Sequence, residues 1–244
     1  MNSNAIELKN LTKRFGEKTA VDGLSLEIKQ GELFGLLGVN GAGKTTTIRI
    51  LSGLAEPTSG EAYVLGNNVV TETSEVKKLI GISTQETAVA PNLTVRENLE
   101  FIAQVYGVKN IKEETDKIIG QFSLGEVENS RTKTLSGGWQ RKVSIAMALI
   151  TSPKVLFLDE PTLGLDVLAR RELWGVIEKL KTKMTIILTT HYLEEAEALC
   201  GRIAVMTRGK LRACGTAEEL KQLAGKDNFE EAFIDIAERA ERNG

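Results

Sequence analysis

The chain has 244 residues, 31 Lys and Arg against 33 Asp and Glu, a single His and two Cys, with 41% hydrophobic and 26% charged residues. That composition belongs to a folded globular chain rather than a disordered one, and a formal charge of −2 lacks the basic surplus that draws a protein to nucleic acid. His191 with Cys200 and Cys214 cannot build a zinc cluster or a disulfide scaffold, so a reducing cytoplasm is the expected setting; no stretch approaches the ~18 apolar residues of a spanning helix, and Met1-Asn2-Ser3-Asn4 lacks the basic and apolar regions of a signal peptide.

In chain order, Ile6-Glu7-Leu8-Lys9 and Leu24-Ser25-Leu26-Glu27-Ile28 alternate apolar and polar, the pattern of half-buried strands. Leu33-Phe34-Gly35-Leu36-Leu37 is continuously apolar, as in a strand covered on both faces. A Gly-rich loop and a helix carrying Ile48 and Leu51 follow, then a strand from Gly60 to Leu65. Thr94-Val95-Arg96-Glu97 has the form of a capping box, and Val95, Leu99, Ile102 and Tyr106 recur at helical spacing. Strand signals are scarce from Thr87 to Thr151, which predicts a helical lobe inserted between strands of the sheet. Val155-Leu156-Phe157-Leu158 and Thr185-Ile186-Ile187-Leu188, separated by a helical stretch, predict a parallel β/α sheet. Arg202 to Gly215 reads as a hairpin turning at Arg208-Gly209, and Asn228 opens an amphipathic helix with Phe229, Phe233 and Ile236 on one face.

Gly38-Val39-Asn40-Gly41-Ala42-Gly43-Lys44-Thr45 fits the phosphate-loop pattern G-x-x-x-x-G-K-[ST], in the required context of a buried strand before and a helix after. Glycines let the backbone wrap a phosphate chain, and amides at the helix start face the anion. Lys44 supplies charge to the β- and γ-phosphates, and the Thr45 hydroxyl is a Mg²⁺ ligand. The strand Val155–Leu158 ends in Asp159 and Glu160; a parallel sheet gathers its site at the carboxyl ends of its strands, so Asp159 and the loop can share one Mg²⁺. On an extended segment the two acids point apart, leaving Glu160 toward the γ-phosphate, where it can deprotonate water. Leu135-Ser136-Gly137-Gly138-Trp139-Gln140 is a second small-residue loop opening a helix, with Ser136 as a good N-cap and Gly137-Gly138 open to an anion. Taken alone it reads first as an ordinary cap.

The joint order of phosphate loop, Leu-Ser-Gly-Gly, Asp-Glu after an apolar strand and a His after the next strand resembles the ATP-binding cassette (ABC) family of transport ATPases, from about Ile6 to Thr216. The resemblance implies an α/β P-loop NTPase of ABC ATPase type: a mixed sheet, an N-terminal antiparallel β subdomain and an inserted helical subdomain. It implies one cassette over 1–224, with 1–86 and 152–224 as the nucleotide-binding lobe and 87–151 as the helical lobe, then a helical tail over 225–244. ATP and Mg²⁺ are the implied ligands. Gly38 to Thr46 corresponds to Walker A, with Gly38, Asn40, Gly41, Ala42, Gly43, Lys44, Thr45 and Thr46 contacting nucleotide, and Phe15 sits where an aromatic stacks on adenine. Thr45, Gln85 and Asp159 correspond to the magnesium ligands. Glu160 matches the catalytic glutamate, with Gln85 at the attacking water and His191 as the switch histidine on the γ-phosphate; a neutral imidazole can accept one hydrogen bond and donate another. Ser136, Gly137 and Gly138 match the signature motif, with Trp139 where many members carry Gln, and Asp166 closes the D-loop Gly164-Leu165-Asp166.

The signature implies a head-to-tail homodimer with two ATP molecules between its halves. It implies ATP hydrolysis that powers transport through separate membrane subunits, with the chain peripheral on the cytoplasmic face. Pro91 to Leu99 and the tail Asn228 to Phe233 resemble type-2 exporters of drugs, ions, lipids and glycans. No nucleic-acid partner is expected. Alternatives are a soluble ABC ATPase outside transport and a non-catalytic nucleotide-dependent scaffold. A small-molecule P-loop kinase explains Lys44 and Asp159 but leaves Ser136-Gly137-Gly138 and His191 without a task. Sustained heptads, as in chromosome-associated relatives, are missing.

Overall fold

The computed structural model describes residues 4–242. Two long strands, β1 (Asn4–Phe15) and β2 (Lys18–Lys29), pair antiparallel; β4 (Ser59–Val64) adds to β1 and the short β5 (Asn67–Asn68) to β4, giving the order β2-β1-β4-β5. Both long strands run past the alternating stretches seen in the sequence, and their register shifts several times, so bulges bend the ribbon.

The second sheet has the order β10-β9-β3-β8-β7-β6, built from β3 (Leu33–Leu37), β6 (Ile80–Ser83), β7 (Val155–Asp159), β8 (Thr185–Thr190), β9 (Arg202–Thr207) and β10 (Lys210–Gly215). Strands β9, β3, β8, β7 and β6 are parallel neighbours and β10 returns antiparallel on β9. The turn of that hairpin falls at Arg208 (φ 49°) and Gly209 (φ 79°), where two successive left-handed residues match the twist of the flanking strands. Strand β6 escapes the sequence patterns because four residues are too few to show a period.

Every residue of β3, β7 and β8 is buried, and their side chains alternate between two cores. Leu156, Leu158, Ile186 and Leu188 join the helical side, whereas Val155, Phe157 and Ile187 join the core of the antiparallel sheet. Helices α1 (Lys44–Leu51) and α2 (Thr73–Leu79) flank the second core. Between β6 and β7 come α3 (Val95–Val105), α4 (Ile111–Gln121), a 3₁₀ turn at Thr132–Thr134 and α5 (Gly137–Leu149). The expected capping box is formed: Glu97 N donates to Thr94 Oγ1 at 3.1 Å and Thr94 N to Glu97 Oε2 at 2.8 Å. Val95, Leu99 and Ala103 of α3 share the core of β7 and β8, so the helical insertion packs on the sheet through continuous apolar contact.

The chain continues through α6 (Val167–Leu180), α7 (Leu193–Leu199), α8 (Ala217–Ala224) and α9 (Phe229–Arg242). Asn228 Oδ1 accepts from Glu230 N at 2.7 Å, satisfying a helix-start amide where the sequence places the start of α9. Phe229, Ala232 and Ile236 are buried against the first core and Phe233 packs on it, so α9 covers its own domain. Among the described residues no helix is long and apolar enough to cross a membrane.

Candidate nucleotide site

The loop from β3 to α1 needs its glycines for two separate reasons. Gly43 has φ 104°, and a Cβ there would stand 2.5 Å from the Ala20 carbonyl oxygen; a Cβ on Gly38 would run into the Met206 carbonyl. Gly209 N donates to Ala42 O at 3.0 Å, so the β9–β10 turn braces the loop. Helix α1 begins without a side-chain cap and without an acidic residue in its first turn, which leaves its positive end open to an anion.

A cleft of about 370 Å³ opens here, lined by Asn40 to Thr46, Gln85, Glu160 and His191, with Lys18 and Ala20 on the flank. Thr45 Oγ1 donates to Asp159 Oδ1 at 3.1 Å, joining the start of α1 to the end of β7. Lys44 Nζ bonds Gly38 O at 2.6 Å and Glu160 Oε1 at 3.1 Å and reaches Val39 O at 3.4 Å, three acceptors for its three donors. His191 Nδ1 lies 2.7 Å from Glu160 Oε2; a carboxylate only accepts, so Nδ1 is the donor. Lys44 and Glu160 are each 5% exposed. Removing one partner from such a buried pair costs about 3–5 kcal/mol, because the other charge is left unpaired.

The two acids diverge for a reason other than strand pleat. Strand β7 ends at Asp159, and Glu160 sits at φ 50° in the left-handed region, so a backbone turn separates the carboxylates. This corrects the extended segment expected from sequence. A non-glycine residue held there stores about 1–3 kcal/mol of strain, which its surroundings must offset. Thr189 does part of that: its hydroxyl donates to Asp159 Oδ1 at 2.5 Å and accepts from Glu160 N at 3.0 Å, while its carbonyl also accepts from Glu160 N. Sequence reading missed Thr189, since a Thr in an apolar strand reads as sheet packing.

Phe15 stands at the end of β1, 54% exposed, beneath Lys13 Nζ at 5.0 Å and outside the lining of the cleft; its strand partner Lys18 is part of that lining. Ser136, Gly137 and Gly138 are also away from the cleft. Ser136 occupies the N-cap of α5 with φ −62° and ψ 159°, yet its side chain makes no capping bond, a correction to the cap expected from its type. Ser136 and Gly137 are exposed. Gln140 turns inward instead, its Nε2 donating to Thr132 O at 2.9 Å and Leu135 O at 3.2 Å, so it holds the backbone before the signature. Trp139 packs on the helical core under Lys142 Nζ, 4.6 Å from the ring centre. Asp166 caps α6, accepting from Leu168 N at 2.9 Å and Ala169 N at 3.0 Å.

Two buried ionisable residues near the cleft were also missed. Arg141 of α5 is 3% exposed; its Nη1 donates to Thr84 O at 2.7 Å and its Nη2 to Gln85 O at 2.6 Å. Burial lowers its pKa, opposed by the charge of Asp159. Glu195 of α7 is fully buried, accepts from Trp174 Nε1 at 3.0 Å, and has its pKa raised by burial against the opposing Thr190, Thr162 and Trp174 donors. On a helix beside other charges, either residue reads from sequence as a solvated surface group.

With this geometry in hand, the comparisons with known proteins decide the family. Residues 21–163, more than half of the chain, match the family described as "ABC transporter". The chain belongs to the ABC transporter family. The cassette is 41% identical over 233 residues to the daunorubicin resistance ATP-binding protein DrrA3 of Streptomyces coeruleorubidus, covering 94% of this chain and 74% of that one. It is 43% identical over 226 residues to the phospholipid-transporting ATPase ABCA3 of Homo sapiens, covering 90% of this chain; it spans 13% of that relative's length. A dimeric structure of a post-hydrolysis state of the ATP-binding cassette MJ0796 bound to ADP and Pi superposes with a TM-score of 0.77 at 28% identity, covering 86% of this chain and 98% of that one. The fold of the cassette is that of an ABC ATPase domain, with its antiparallel and mixed sheets and helical insertion.

Proposed function

We propose that the chain binds and hydrolyses ATP and, as a head-to-tail dimer, powers export through separate membrane subunits. The observation that carries this is the convergence of Lys44, Thr45, Glu160 and His191 on one cleft, with Asp159 bonded to Thr45 beside it although the two lie 114 positions apart.

In this reading the Gly38–Thr46 amides and Lys44 hold the β- and γ-phosphates of ATP, and Phe15 stands at the rim for the adenine. Thr45 and Asp159 offer the hard oxygens that Mg²⁺ prefers, and among the described residues no group of three His, Cys, Asp or Glu forms a cage. That donor set fits an ion that completes its shell with water and substrate phosphates. Bound there, Mg²⁺ would neutralise charge on the phosphates. Glu160 takes a proton from a water that attacks the γ-phosphorus; the bond from that phosphorus to the bridging oxygen breaks, and ADP leaves with its electron pair. His191 fixes the Glu160 carboxylate for that task, and Gln85, which also lines the cleft, orients the water.

The signature loop supports the dimer: Ser136 and Gly137 are exposed and outside their own cleft, and the structural relative described above is dimeric. Export follows the names of the relatives, one a drug-resistance protein and one a phospholipid transporter. A segment of a membrane subunit fits a second groove, of about 380 Å³, lined by Leu54, Ile80, Ile82, Ala88, Ile102 and Tyr106 and flanked by exposed Phe101 and Val105. In this reading the chain sits on the cytoplasmic face of the membrane, held there by the membrane subunit. The scaffold alternative leaves the paired and strained Glu160 without a purpose. The test is phosphate release by the full chain with MgATP, with sedimentation in parallel. Multiple turnovers and an ATP-dependent dimer are expected; ATP binding without turnover would favour the scaffold.

A further inference from the structure

Arg141 has an unusual set of partners for a buried cation. Its guanidinium makes no ion pair among the described residues, and its two terminal nitrogens donate only to the carbonyls of Thr84 and Gln85. A side chain needed only to fill space could be Met or Leu at no cost in desolvating a charge. Arg instead offers a rigid fork of donors, which fixes two acceptors at a set spacing.

The two carbonyls belong to residues with different surroundings. Thr84 lines the apolar groove, Gln85 lines the nucleotide cleft, and both follow directly after the last residue of β6. The helix that carries Arg141 begins at the signature glycines, one turn earlier. It is anchored to β6 by a buried contact between Ser144 Oγ and Ser83 Oγ at 3.0 Å. That contact lies one turn beyond Arg141, so it holds the helix against the strand while the guanidinium holds the loop.

We infer that Arg141 is a positioning residue that clamps the backbone of Thr84 and Gln85 to the signature helix, so that the Gln85 side chain and the signature loop keep one fixed relation. The inference rests on the reading of Gln85 as the residue that orients the attacking water. Among the described residues the guanidinium bonds only backbone carbonyls, those of Thr84 and Gln85, so it acts by holding a backbone whose side chain serves the site. Because misplacement of a reacting group by about 1 Å can cost 10²-fold in rate, loss of the clamp acts on turnover. The phosphate contacts of Gly38–Thr46 are left intact, so the KM for ATP changes little.

A double-mutant cycle on the full chain with MgATP tests this. Arg141→Met is expected to lower kcat by roughly tenfold to a hundredfold while the KM for ATP stays within about twofold. Arg141→Lys, which keeps a charged donor but loses the fork, recovers part of the loss. In a Gln85→Ala background, Arg141→Met is expected to lower kcat by less than about twofold, because the group it positions is already gone. If Arg141→Met does not fold by thermal melting, the same cycle is run with Arg141→Lys. An unchanged kcat in Arg141→Met, or the full loss repeated in the Gln85→Ala background, overturns the clamp and leaves the Gln85 assignment standing. An unchanged kcat in Gln85→Ala alone overturns that assignment, and the clamp with it.

Discussion

The polar groups of the nucleotide cleft are bonded to one another, whereas those of the signature loop face outward. Lys44, Glu160 and His191 form one chain of contacts, and Thr45, Asp159 and Thr189 form another beside it. The Ser136 hydroxyl makes no capping bond, and α5 starts with exposed glycine. Both regions pair a small-residue loop with a helix N-terminus, yet only the first has charged partners within reach of its own chain. The difference is one of completeness: the cleft holds carboxylates, imidazole and cation together, while the signature loop is, in the proposed dimer, half of a site that a second molecule would complete.

The largest test of that contrast is Glu160→Gln. Phosphate release is expected to fall by about 10²–10⁴-fold, the range for loss of a general base, while bound ATP is retained and a dimer accumulates in size-exclusion chromatography. Full turnover would remove Glu160 from the chemistry. Next comes Ser136→Glu, which puts like charge against the partner's nucleotide at a cost of several kcal/mol per site. ATP-dependent dimerisation should disappear, while the melting temperature of the monomer, set by an exposed position, moves by less than about 0.5 kcal/mol in stability terms. A stable ATP dimer in that variant would break the comparison. Lys44→Ala removes a charge-assisted contact of about 2 kcal/mol, so calorimetry should record roughly thirtyfold weaker nucleotide binding. Unchanged affinity would contradict the phosphate-loop assignment.

The smallest effect concerns Glu195, behind the cleft. Its folded-state pKa is raised above the ordinary 4.5 by burial, so the folded chain holds this proton more tightly than the unfolded chain does. The resulting stability is present below pH 4.5 and is lost as pH rises through the raised value. Glu195→Gln keeps an acceptor for Trp174 Nε1 and carries no charge, so its melting temperature should exceed that of the parent at pH 8 and converge toward it at acidic pH. A parent stability that does not fall with pH relative to the variant would rule out a buried ionising Glu195.

Much of the fold and most of the cleft are legible along the chain. The β9–β10 turn, the α3 capping box and the Asn228 start of α9 each depend on a few neighbouring residues, and each forms where the residue pattern places it. The long β1–β2 ribbon is only partly legible, because bulges break the alternation on which strand patterns rest. Helix α8 has a complete capping box at Thr216 and Glu219 but too short an apolar period to stand out beside the preceding hairpin.

By itself the sequence determines the glycine loop, the signature Leu-Ser-Gly-Gly and the order of motifs that marks the family, since each is local spacing or chain order. Tertiary structure alone decides which side chains complete them. Thr189 bridges the two acids, Arg141 grips the loop at Gln85, and Glu160 adopts a left-handed backbone, because strands and helices remote in sequence are brought side by side. Hydrogen bonds depend on separations of a few ångströms in space, and no periodicity along a chain encodes a neighbour that lies tens of residues away.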